Sequence, residues 1–117
     1  MAKLAPKEGK ASSVVLSQDE QENKTVLQLL KTHNRRMARA DMYTMLASQM
    51  DKQTANDVLQ RLRRKFLVWF DFYVLDFAPK AEQINRVANG PDDSASVQIL
   101  VALTKSGLAR LEQQSNH

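Results

Sequence analysis

Cysteine is absent from this 117-residue chain. That excludes a disulfide framework, thiolate-bound zinc and a thiol nucleophile. Histidine occurs only as His33 and His117, and neither joins Asp or Glu at metal-ligand spacing. With three glycines there is no Gly-rich phosphate loop. Ser106-Gly107 lacks the surroundings of a nucleophile elbow. No cofactor and no metal are expected, and a non-enzymatic protein is. The longest apolar stretch, Phe66 to Phe77, is broken by Asp71 and Asp76. It falls short of the roughly 20 residues a membrane helix needs. The start, Met1-Ala2-Lys3-Leu4-Ala5-Pro6-Lys7, has positive charge but no apolar segment after it, so no signal peptide is expected. These absences predict a soluble, cytoplasmic protein with no membrane partner.

What is present suits one domain. Hydrophobic residues make up 43% of the chain, enough for a core and too many for disorder. Residues 1–13, with Lys3, Lys7 and Lys10, read as a flexible basic arm, and 14–115 as the folded domain. The net charge is +4, and its placement says more than its size. Between Lys31 and Lys65 stand nine bases and three acids, a local excess larger than that of the whole chain. Such a segment points to a polyanionic partner.

Ser17-Gln18-Asp19-Glu20 is a capping-box pattern, and it opens a helix that runs to about His33, with Asn34 as its stop. After a basic connection through Arg35 and Arg36, a second helix is predicted over Arg39 to Met50, with Met42, Leu46 and Met50 on one side. Asp51 is a good N-cap for a third, Lys52 to Lys65. Its Ala55, Val58, Leu59 and Leu62 follow an i, i+3, i+4, i+7 pattern. Phe66 to Phe77 reads as a strand, although its aromatics also fit a helical face, and Pro79 ends either element. Most of Trp69, Phe70, Phe72, Tyr73 and Phe77 are expected in the core, and any remainder as an exposed patch suited to dimerisation. Gln83 to Val87 reads as a weak second strand, Asn89 to Ser94 as a turn, and Val97 to Leu103 as a third strand. Ser12 to Leu16 is either a short strand or the approach to the first helix. Thr104 caps a last helix to about Gln114, with Leu108 and Leu111 inward.

The short gap between the second and third helices looks like a helix-turn-helix. Leu59-Gln60-Arg61-Leu62-Arg63-Arg64-Lys65-Phe66-Leu67-Val68 resembles the end of the recognition helix in MarR-type winged-helix regulators, with Phe66 where a glycine usually ends that helix. Leu103-Thr104-Lys105-Ser106-Gly107 resembles the Leu-Thr-x-x-Gly segment after the wing of the same regulators. The resemblance implies a mainly α fold with a small β-sheet (α+β): a winged helix-turn-helix with a three-helix core, a β-hairpin wing and a C-terminal helix. It also implies a homodimeric, sequence-specific double-stranded DNA binder. Such a protein is a transcriptional regulator of the repressor kind or a plasmid-segregation type of DNA binder, associated with the nucleoid.

Candidate contacts follow from side-chain chemistry. Gln53, Thr54, Asn56 and Gln60 are expected on the exposed early turns of helix 52–65, where amides pair with adenine in the major groove. Lys52 suits a phosphate, and so does Arg61. Arg63, Arg64 and Lys65 suit either phosphate or the negative helix end. Arg35, Arg36 and Arg39 flank the second helix, where backbone phosphates would pass. Arg86, with Asn89, belongs to the expected wing and would enter a minor groove. Asp92 and Asp93 at the wing tip favour protein contact instead. Together with the aromatic segment they motivate the alternative, a winged-helix protein–protein interaction module without DNA binding. Neither an effector ligand nor an operator can be read from the residues.

Overall fold

Capping chemistry sets most helix boundaries. In the computed structural model, which describes residues 16–74 and 80–115, helix α1 spans Gln18–Thr32. Ser17 Oγ accepts from the Glu20 N–H at 3.1 Å, and Glu20 Oε1 accepts from the Ser17 N–H at 3.1 Å. The helix ends with Asn34 in the left-handed region (φ 63) and the Arg35 N–H on Leu30 O at 2.7 Å. Strand β1, Arg36–Ala38, follows, then α2, Arg39–Leu46. The N–H groups of Gln49 and Met50 both turn back to Leu46 O, so the second helix closes one turn earlier than expected. Asp51 Oδ1 caps α3, Lys52–Arg64, by accepting from the Thr54 N–H at 2.7 Å. This holds the Asp51 carboxyl below the usual range, the backbone hydrogen bond being the main cause. Strand β2 is Val68–Val74, α4 Ala81–Asn89, β3 Val97–Leu103 and α5 Lys105–Ser115.

Among the described residues the result is an α+β fold, with five helices and one antiparallel sheet in the order β1-β3-β2. β2 pairs with β3 over seven positions, from Val68 opposite Leu103 to Val74 opposite Val97. β1 joins the far side of β3, with Met37 opposite Val101. Alternate residues of β3 (Val97, Ile99, Val101, Leu103) face the helices and are buried. Against them pack Val26, Leu27 and Leu30 of α1, Leu46 of α2, and Val58, Leu59 and Leu62 of α3. Each such side chain contributes about 1.5–3 kcal/mol on burial.

Two expectations change here. Residues 83–87 are helical, within α4, because Ile84, Val87 and Ala88 recur at helical spacing and turn one apolar side inward. β2 and β3 are therefore not joined by a simple hairpin, and Arg86 and Asn89 sit on a helix rather than on a wing. Of the aromatics, Phe70 is buried at 3% exposure, but Trp69, Phe72 and Tyr73 are 58%, 39% and 55% exposed. Strand alternation sends Trp69 and Tyr73 to the side of the sheet away from the helices. The arm 1–13, the residues Ser12 to Val15, and Leu75 to Pro79 with Phe77 lie outside the described residues.

The exit of α3 explains both motif-like segments. Phe66 is left-handed (φ 60), with its N–H on Arg63 O and the Leu67 N–H on Leu62 O. This is the double hydrogen bond of a Schellman cap, at a position that favours glycine. Thr104 Oγ1 donates to Phe66 O at 2.7 Å and accepts from the Gly107 N–H at 2.9 Å. A Cβ on Gly107 would meet Leu67 O at 2.1 Å, so α5 can cross this cap only with glycine there. Phe66→Gly is expected to raise the unfolding free energy by about 1 kcal/mol in urea titration, the scale of left-handed strain in an L-residue. Gly107→Ala is expected to lower it by at least about 2 kcal/mol in the same measurement, as overpacking against backbone does.

Candidate nucleic-acid interface

α3 is amphipathic, and its polar residues divide into those that hold the fold and those that remain at the surface. Asn56 belongs to the first group. It is 3% exposed, so the expectation that it lies on the open face is corrected. Its Oδ1 accepts from Gln60 Nε2 at 3.3 Å, and Gln60 Nε2 also donates to Ala88 O at 2.6 Å. Helix α4 thus lies over this part of α3. Arg61 is likewise engaged within the fold. Its Nε and Nη2 donate to Asn23 Oδ1 at 3.0 and 2.9 Å, and Nη2 lies 3.4 Å from Glu22 Oε1. With Asp19 Oδ1 also 3.6 Å from Nη1, it ties α3 to the start of α1, where its expected phosphate would have to displace Asn23, Glu22 and Asp19.

Arg39 departs furthest from expectation. It is fully buried, not flanking the second helix in solvent. Nη1 donates to Gly90 O at 2.7 Å, and Nη2 donates to Val87 O at 3.0 Å and Asp93 Oδ1 at 2.9 Å. Val87 and Ala88 are at the carboxyl end of α4, whose last carbonyls have no partner within the helix. Arg39 and Gln60 supply those partners from α2 and α3, and the Arg39 cation complements the negative helix end. Lys52 forms an ion pair with Asp92. Both acids of the expected wing tip therefore face cations of the helix pair.

Other expected site residues stay at the surface. Gln53 donates to Asp57 Oδ1 at 2.9 Å, and Thr54 is half-buried. Gln53, Asp57, Gln60 and Arg64 form one stripe along α3. Arg64 and Arg86 are exposed and form no ion pair with another described residue, and the same holds for Arg35. Arg36 instead pairs with Asp71 at 2.9 Å on the open side of the sheet, where Trp69 Nε1 donates to the other carboxylate oxygen at 2.9 Å. Arg63 lies 4.8 Å over the Phe70 ring. Among the described residues no group of His, Cys, Asp and Glu could hold a metal, and no helix is long and apolar enough to cross a membrane.

Tyr43 completes the Arg39 cluster. The Arg39 guanidinium carbon is 5.9 Å from its ring centroid. Its hydroxyl is buried without a partner, and burial pushes its ionisation up to about 12 from an ordinary 10.0. An unfolded tyrosine loses its proton first as pH rises, so Tyr43 has no pH-linked effect well below pH 10.0 and lowers stability as pH climbs from 10.0 towards 12. Tyr43→Phe is expected to leave stability at neutral pH unchanged or higher, since an unpaired buried hydroxyl is removed. It should also flatten the alkaline loss in pH-dependent urea titrations and remove the late tyrosinate step from ultraviolet difference absorbance. Compared with protein-family models, with curated proteins and with solved structures, the chain finds no match.

Proposed function

We propose that this chain is a winged-helix protein that binds double-stranded DNA as a homodimer and acts in regulation or segregation without catalysing a reaction. The observation that carries the reading is the arrangement of α1, β1, α2, α3, β2 and β3 around the sheet order β1-β3-β2, with α2 and α3 joined by a short turn. It leaves the stripe of Gln53, Asp57 and Arg64 outward on a helix whose other side is core. Glutamine pairs with adenine in the major groove, a carboxylate accepts from cytosine, and arginine takes guanine or phosphate. Arg35, Arg64, Lys65 and Arg86 supply cations for the DNA backbone. These replace Asn56, Arg39 and Arg61, whose hydrogen bonds are already taken within the fold.

A second reading has an observation of its own. α4 and the acidic loop after it lie against α2 and α3 through Arg39, Lys52 and Gln60. A helix covered on one side enters a groove less deeply, and this favours a protein–protein module without DNA.

Salt separates the two. Fluorescence anisotropy with a random-sequence duplex should show affinity falling steeply with salt, with a log–log slope of about −3.6 for four phosphate contacts. Arg64→Ala should weaken every duplex and reduce the slope by about 0.9. Lys52→Ala should do less, because Asp92 already holds that amine. Absence of duplex binding at low salt by a protein with an intact thermal transition would select the second reading.

A further inference from the structure

β2 is an outer strand of the sheet, and one of its edges meets no described strand. The ladder shows which groups that edge presents. The Thr104 N–H bonds Leu67 O at 3.2 Å, and the Leu103 N–H bonds Arg35 O at 2.7 Å. Antiparallel pairs alternate between bonded and non-bonded positions. Residues 98, 100 and 102 of β3 therefore bond β2, and 101 and 103 bond Met37 and Arg35 on the other side. On β2, Trp69, Asp71 and Tyr73 bond inward, and Val68, Phe70, Phe72 and Val74 aim their N–H and C=O groups outward. The same four side chains lie on the core side of the sheet. Val68 and Phe70 are buried there, whereas Phe72 and Val74 are 39% and 43% exposed.

Natural edge strands are blunted by lysine, proline, bulges or inward-pointing charges. β2 has none of these: its sequence is Val-Trp-Phe-Asp-Phe-Tyr-Val, and its register with β3 is unbroken. Its one charge, Asp71, is matched by Arg36 on the same chain. We propose that β2 pairs antiparallel with β2 of a second copy, across a two-fold axis at Phe72, so that the two sheets become one. The inference rests on the homodimer part of the reading above and is independent of duplex binding.

A copy of this chain is the occupant that the residues fit. An axis at Phe72 sets Phe72 opposite the partner's Phe72 and Phe70 opposite the partner's Val74. The half-exposed apolar side is thereby covered with apolar groups. It sets Asp71 opposite the partner's Tyr73, a carboxylate beside a phenol. An axis one residue earlier would oppose Asp71 to its own copy, a destabilising like-charge pair. An axis at Phe70 would centre on residues that α3 and Arg63 already cover, and would leave Val74 open. Charge and exposure therefore favour the axis at Phe72 over the two earlier ones.

The test uses the full chain. Sedimentation should show a dimer at micromolar concentration. Phe72→Lys, which places two ammonium groups at the axis, should raise the dissociation constant at least tenfold. Because the chain lacks cysteine, Phe72→Cys gives a clean second measurement. Bonded antiparallel partners stand about 5.5 Å apart at Cα, within disulfide range. Mild oxidation should link this variant covalently, and Arg110→Cys, on the exposed side of α5, should not link. A dimer that survives Phe72→Lys, with no Phe72→Cys crosslink, overturns the β2 axis and keeps the homodimer. A monomer throughout, with no crosslink, overturns both. If Phe72→Lys fails to fold by circular dichroism, the crosslink decides alone.

Discussion

The guanidinium of Arg39 is the interaction on which the arrangement turns. A charge taken out of water carries a penalty of several kcal/mol unless partners surround it. Here Asp93 and two backbone carbonyls do so, from a segment 48 to 54 residues further along the chain. Removing one side of such a group typically costs about 3–5 kcal/mol, because the other side is left buried and unpaired. Arg39 directly follows β1, so the same contact fixes the end of α4 relative to the sheet. Lys52 and Gln60 then find their partners on α4 and its loop, and Asn56 is covered. One buried charge thereby positions a helix on two others.

Much of this was legible in the sequence, for reasons that can be named. The boundaries of α1 and α3 rest on local chemistry, Ser17 with Glu20 and Asp51 with Thr54, and local chemistry is written in adjacent residues. β3 has the alternation of a strand packed on one face. β1 was not legible, since three residues are too few to show a period. α4 was misread as strand, although Lys80-Ala81-Glu82-Gln83 carries a start signal: the Lys80 N–H bonds Gln83 Oε1 at 2.9 Å. Ile84, Val87 and Ala88 then have helical spacing. The fate of Arg39 and Arg61 was out of reach, because their partners lie far along the chain. A basic run looks the same whether its cations meet phosphate or protein. The aromatic strand showed the opposite error: apolar residues suggested core, and the alternation of the pleat placed Trp69 and Tyr73 outside.

The surface that results is less basic around the helix pair than the count of arginines suggests. Arg39, Lys52 and Arg61 are neutralised within the fold, and Arg36 is paired across the sheet. The cations left without an ion pair to a described residue include Arg35, Arg64, Lys65 and Arg86, spread over the junction of α1 with β1, the end of α3, and α4. On the proposed DNA-binding reading, phosphate contacts drawn from such a set would position a duplex without reading it, and discrimination between sequences would fall to Gln53 and Asp57.

The passage from β2 to β3 has a further consequence, for the order in which the chain acquires its structure. A two-residue hairpin lets neighbouring strands zip from the turn outward. Here residues 75–96 intervene, with α4 among them. Closing a loop about tenfold longer costs only about 2 kcal/mol of additional chain entropy, so the finished sheet tolerates the insertion. The pathway is affected more than the balance. The carboxyl end of α4 is capped by Arg39 and Gln60, so that end is completed only once α2 and α3 are in place. Pairing between distant strands gains little until their connection is anchored. The helices, built on local contacts, are the part of the molecule that can come first, and the outermost strand is the part that waits.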